Sequence, residues 1–175
     1  MRPSTHVGRV LLALCLLLSI AGCTAQDGAG QLDGEGGRLL AEAVVSAATG
    51  GTVIVAMPDV LAGTAIAIPP GALVADLTIR LRTGPEPAVS GVVGETLVIE
   101  PVDTSLAIPA TLILVYSDTD VPAGRDAGAL ALIHVTTSGL QTLLHNGVVD
   151  TVAHTVQGDT SALGTFVLVS SPPPR

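Results

Sequence analysis

Residues 38–170 predict an all-β domain, an antiparallel β-sandwich of about 8–10 short strands preceded by a signal peptide and a flexible tether. Three observations carry this. Runs of five to nine strand-type residues recur between Gly, Pro, Asp and Asn. The apolar content, 48% of 175 residues, is mostly Ala, Val, Leu and Ile, with Tyr116 and Phe166 the only aromatics. Within several runs, apolar and polar residues alternate with the period of two that a half-buried strand requires.

The runs follow in order. Residues 38–48, "RLLAEAVVSAA", carry Ala and Leu suited to a short helix but also Val44-Val45 ahead of a turn at Gly50-Gly51 suited to a first strand, and both readings stand. Then come "TVIVAM" (52–57), "TAIAI" (64–68), "DLTIRL" (76–81), "ETLVIE" (95–100), "ATLILVYS" (110–117), "ALALIHV" (129–135), "LQTLLH" (140–145), "VVDTVAHTV" (148–156) and "TFVLV" (165–169). In "DLTIRL", Leu77, Ile79 and Leu81 face a core and Asp76, Thr78 and Arg80 face water, as in a sheet covered on one side. "ATLILVYS" is apolar on both faces, which places it centrally, with Leu112, Leu114 and Tyr116 on one side and Ile113 and Val115 on the other. Asn146-Gly147 predicts a tight hairpin between the runs on either side. Pro69-Pro70 must end a strand, because proline has no N–H for the ladder, and Gly71 permits the positive φ with which the chain reverses or changes sheets.

Ahead of the domain, residues 1–22 read as a signal peptide: Arg2 and Arg9 precede an unbroken apolar run from Val10 to Leu18 that continues through Ile20 and Ala21. That run is shorter than the roughly 20 residues a bilayer span needs. Ile20-Ala21-Gly22-Cys23 resembles the lipobox of bacterial lipoprotein precursors. The resemblance implies cleavage between Gly22 and Cys23 and a diacylglycerol, with acyl chains such as palmitate, on the Cys23 sulfur. One acyl chain holds a membrane marginally and two or three hold it firmly, at about 0.8 kcal/mol per buried CH₂. Cys15 lies in the apolar run and leaves with the leader, so the mature chain has no second thiol for a disulfide. Thr24 stands where an Asp would resemble an inner-membrane retention signal, which favours the outer membrane in a cell that has two.

Residues 23–37 form the lipid-anchored tether; the Gly-rich, acidic stretch 24–37 spans about 20 Å as a coil. Its Gly-x-Gly-Gly cluster has neither a preceding strand nor a following Lys, so it is no phosphate loop. A Pro-rich tail occupies 171–175. Without the leader, five basic residues face fifteen acidic ones, a formal charge of −10. Nucleic acid is excluded as a partner by that charge and by the scarcity of aromatic stacking platforms, and anionic headgroups add nothing to the anchor.

"ATGGTVIV", "TAIAIPPGAL", "LTIRL", "VIEPVDTSLAIPATLILVYSD", "GALALIHV" and "TFVLV" occur in an order that resembles the ZU-five β-sandwich, the domain shared by zona-occludens proteins, ankyrins and netrin receptors and carried in related form by bacterial envelope proteins. The resemblance covers roughly residues 44–170 and is most specific at Ile68-Pro69-Pro70-Gly71-Ala72-Leu73, supported by Glu100-Pro101 and Pro109. It implies a structural or protein-interaction module. Some members cut themselves at a His-Phe-Ser triplet; here Ala162-Leu163-Gly164 stands in its place and Ser161 has no adjacent His, so an uncut chain is implied.

Other chemistries find weaker support in the sequence. His134, His145 and His154 lack the paired spacing of a zinc site. Asp118, Asp120 and Asp126 are the calcium candidates, in "SDTDVPAGRD", although the acidic ladder and closing Glu of a calcium hand are missing. "TTSGL" (136–140) lacks the flanking glycine of a Gly-x-Ser-x-Gly nucleophile elbow, and no acid-base pair has a recognisable spacing, so a non-catalytic module without a cofactor is expected. The alternative is a calcium-dependent binding protein or hydrolase using the loop around Asp118.

Overall fold

The computed structural model describes residues 37–170. The expected sandwich is present as two antiparallel sheets. Six strands form the first in the order β1 (Leu39–Val45), β4 (Leu77–Gly84), β5 (Val92–Glu100), β11 (Thr165–Val169), β7 (Ala131–Val135) and β8 (Gln141–Leu143). The second holds β2 (Gly51–Ile54), β3 (Ala65–Ile68), β6 (Ser105–Val115), β10 (Thr155–Ala162) and β9 (His145–Asp150).

Alternation decides the faces. Ile79 and Leu81 of β4, Leu97 and Ile99 of β5, and Phe166 and Leu168 of β11 point inward against Ile66 of β3, Leu112 and Leu114 of β6, and Tyr116 just beyond the end of β6. Phe166 is completely buried and is the largest of the fully buried side chains. β11 and β7 are buried on both faces. Ile133, Val135, Val167 and Val169 face away from the other sheet, where Val89 of the β4–β5 connection packs over them and closes a small second core.

The Pro-Pro-Gly break is a sheet-changing corner. β3 ends at Ile68 in the five-stranded sheet, Gly71 takes φ +77°, and the chain enters β4 in the six-stranded sheet. Gly71 N–H donates to the Ala47 carbonyl at 2.8 Å, tying the corner to the β1–β2 turn, while Ala72 and Leu73 are buried beneath it. Opposite the prolines, Gly50 sits at φ +68° with its α-carbon against their backbone.

The structure settles or corrects four expectations. Residues 38–48 form a strand: Ala41 to Val45 pair residue by residue with β4, and tertiary pairing outweighs the helix propensity of Ala and Leu. Asn146-Gly147 makes no hairpin, because β8 belongs to one sheet and β9 to the other, the chain crossing between them at buried Leu144. Asn146, at φ +52°, and Gly147 instead form a bulge within β9, where the register against β10 jumps between Gln157 and Asp159. Residues 148–156 are not one strand but the real hairpin, β9 turning through Thr151–His154 into β10. Polar β10, "TVQGDTSA", is a central strand that no run predicted.

The registers fix two ends. The chain enters at Gly37 and Arg38 at the same end as the β2–β3 loop, the β6–β7 connection and the β9–β10 turn. The Ser46–Gly50 turn, the Pro-Pro-Gly corner and the β5–β6, β7–β8 and β10–β11 connections lie at the other.

Candidate functional site

Acidic side chains gather at the chain-entry end. Asp59, on the β2–β3 loop, accepts the Leu61 N–H at 2.9 Å and pairs with Arg38. Arg38 also lies 3.6 Å from Glu95, so one guanidinium links two carboxylates from different parts of the chain. Glu95 is tipped outward by a bulge in β5, where pairing with β11 jumps from Leu97–Phe166 to Val93–Leu168. Two grooves of about 330 and 600 Å³ meet at Gly94 and Glu95. Arg38 and Glu86 line the first; Val60, Leu61, Tyr116 and Asp120 line the second.

Tyr116 caps the core beside the larger groove. It is 3% exposed, and its hydroxyl has no protein hydrogen-bond partner. Burial holds the phenol above its ordinary pKa, and the carboxylates of Asp118 and Asp150 add to the shift. The His154 ring lies 5.5 Å from the Tyr116 ring, tilted at 55°, and its Nε2 is 3.3 Å from Asp118 Oδ1. Asp150 accepts the Val152 and Ala153 N–H groups, both at 2.9 Å, which holds its carboxyl below the usual range, with a smaller contribution from His154.

The calcium candidates are not brought together as a ligand set. Asp118 faces His154, Asp120 Oδ2 accepts the Ser117 N–H at 2.8 Å, and Asp126 Oδ1 accepts the Gly128 N–H at 2.8 Å, capping the single turn Ala127–Ala129. Among the described residues, no three His, Cys, Asp or Glu side chains are placed to hold a metal ion. The three histidines are likewise dispersed: His154 in the β9–β10 turn, His145 exposed at the start of β9, and His134 buried on β7. Leu163 is fully buried and Gly164 abuts His134, while Ser161 is exposed on β10. Gly22 and Cys23 lie outside the described residues.

One surface escaped the sequence reading. Where the sheets part between β7–β8 and β9, a cleft of about 630 Å³ is lined by Leu130, Leu132, Leu144, Val149 and Val156. Its signal was the crossing at Leu144, which the Asn-Gly pair disguised as a hairpin.

The carboxylates of Asp59, Asp120, Asp126 and Asp150 serve as turn acceptors for their own backbone. No protein-family model matches the chain, and no curated protein matches it.

Proposed function

We propose that this chain is a bacterial envelope lipoprotein, anchored through acyl groups on Cys23, whose sandwich is a non-catalytic structural or protein-interaction module resembling the ZU-five domain. The observation that carries the reading is Ile20-Ala21-Gly22-Cys23 at the end of a charged-then-apolar leader. A cysteine directly after small residues at that distance is what lipid modification and cleavage require. The fold adds support in that the Pro-Pro-Gly motif lies at the corner where the chain changes sheets.

An anchored chain would be held by the end at which Arg38 enters the sandwich. A tether of about 20 Å then keeps the acid-lined grooves nearest the bilayer. The opposite end, with Val74 fully exposed and Leu140 at 65%, faces away and is open to an envelope protein partner. With a formal charge of −10 the attachment rests on lipid, and the outer membrane is the favoured address in a two-membrane cell.

Cys23→Ala tests the anchor. Loss of labelling by a palmitate analogue and release of the chain from the membrane fraction are expected; unchanged processing and fractionation in the variant would refute it. Crosslinking in the native envelope followed by capture of the chain identifies the partner.

A further inference from the structure

At the end remote from chain entry, an ionisable ring is sealed into the core. His134 is 8% exposed and stacks on its cross-strand partner Phe166, ring centroids 4.9 Å apart. Its Nε2 is buried without a protein hydrogen-bond partner. Gly164 presses on the same nitrogen: a Cβ there would lie 2.6 Å from Nε2, so the ring fits only because residue 164 has no side chain.

Three connections close over this ring. Asp103, on the β5–β6 connection at φ +58°, donates its N–H to the Leu163 carbonyl at 3.0 Å and accepts Thr137 Oγ1 at 2.7 Å. Asp103 therefore ties the β10–β11 turn to the β7–β8 connection. It is also the charged group that acts on the imidazole. Strands β8 and β11 carry no ionisable residue; Glu95 and Glu100 of β5 pair with Arg38 and Arg82, and Asp159 of β10 is engaged by Thr111 and Asn146.

We propose that His134 is an acid-sensitive latch: when its buried ring takes a proton, it draws the Asp103 carboxylate away from Thr137 and loosens the end of the sandwich closed by residues 101–104, 136–140 and 163–164. An imidazolium wedged between Phe166 and Gly164 needs an acceptor, and Asp103 is the anion that acts on the ring. Burial lowers the pKa of the ring, with Asp103 and the Leu163 backbone opposing in part. The open form therefore takes up the proton first. The closed end is fully favoured above the ordinary histidine value of about 6.5 and is progressively lost as pH falls towards the lower value of the closed form. This inference is independent of the membrane anchor.

Amide hydrogen exchange on the full-length protein, corrected for intrinsic rates, tests it. Each unit of pKa difference between closed and open forms gives about a tenfold change in opening. Protection at residues 136–142 should fall by more than about twofold between pH 7 and pH 5 in the wild type, and by less than that in His134→Gln. An equal loss in both overturns the latch. Asp103→Asn removes the charge that favours protonation, so the acid transition should move to lower pH; an unmoved midpoint overturns the Asp103 exchange. Should His134→Gln not fold, this second variant and the titration of the wild-type ring decide the matter. A ring titrating at its ordinary value with no loosening is a refutation.

Discussion

Gly50→Ala measures what the sheet-changing corner is worth. A Cβ at residue 50 would lie 2.3 Å from the Ile68 carbonyl oxygen and 2.8 Å from both Pro69 C and Pro70 N. All three are backbone atoms, two of them in consecutive prolines whose φ is locked, so no side chain can rotate out of the way. To that clash is added the strain of an L-residue at φ +68°, about 1–2 kcal/mol. Displacing packed backbone costs a further 1–3 kcal/mol or so. The total is about 2–5 kcal/mol, and for a domain of this size each kcal/mol lowers Tm by roughly 4 °C. Gly124→Ala is the matched control, because Gly124 has φ +81° but nothing within 4 Å of where the alanine Cβ would stand. It should lose only the conformational part. With one tyrosine and no tryptophan in the chain, calorimetry or far-ultraviolet circular dichroism suits the melts better than intrinsic fluorescence. A Tm loss in Gly50→Ala that merely equals that of Gly124→Ala would refute the packed corner.

Two further outcomes follow from the chain-entry end. Tyr116→Phe removes a hydroxyl buried without a protein partner, so it should stabilise the fold by about 1–2 kcal/mol, read as a higher Tm at pH 7. Because the folded phenol lies above its ordinary value, the wild type holds its full stability below about pH 10 and loses it as pH rises further; Tyr116→Phe should flatten that alkaline limb, and an unchanged limb would count against the burial. Calorimetry with calcium should give no binding heat that depends on Asp118 and Asp120, whose carboxylates face His154 and the Ser117 N–H. Heat abolished by Asp118→Ala and Asp120→Ala would instead favour the cation-binding alternative.

Strands with one dominant face were legible from pattern. The alternation in Leu77, Ile79 and Leu81, and the two-faced run through Leu112 and Ile113, assigned faces as the structure has them. β10 was not legible, since a central position here requires only that Val156 and Thr160 be buried beside Gly158, where a Cβ would collide with Leu144 at 2.8 Å. Small polar residues fill a crowded strand as well as valine fills an open one. The Asn-Gly pair misled for a related reason: a positive φ serves a bulge as well as a turn, and the choice depends on which sheet the preceding strand joins. Of the candidate site, the acidic loop was visible as composition. The linkage of Arg38 to Asp59 and Glu95 was not, because residues separated by 21 and 57 positions meet only through the fold.

The sheet margins bear on how such a domain recognises a partner. Addition of a foreign strand needs a long, regular edge with unpaired N–H and C=O groups. The four margins here are β1, β8, β2 and β9. β8 has three residues and β2 has four, each too short for more than a few ladder bonds. β1 is longer, but its register slips between Leu39 and Ala41, and β9 carries the Asn146-Gly147 bulge. Bulges twist an edge away from an incoming strand, so all four margins are blunted. If the sandwich is the interaction module proposed, recognition falls to its connections: the acid-lined grooves at the chain-entry end, and the exposed apolar side chains Val74 and Leu140 at the other. Exposed apolar side chains stand at both ends, Met57, Val60 and Val152 at the chain-entry end and Val74 and Leu140 at the other, so it is the gathering of carboxylates at the first that distinguishes the two.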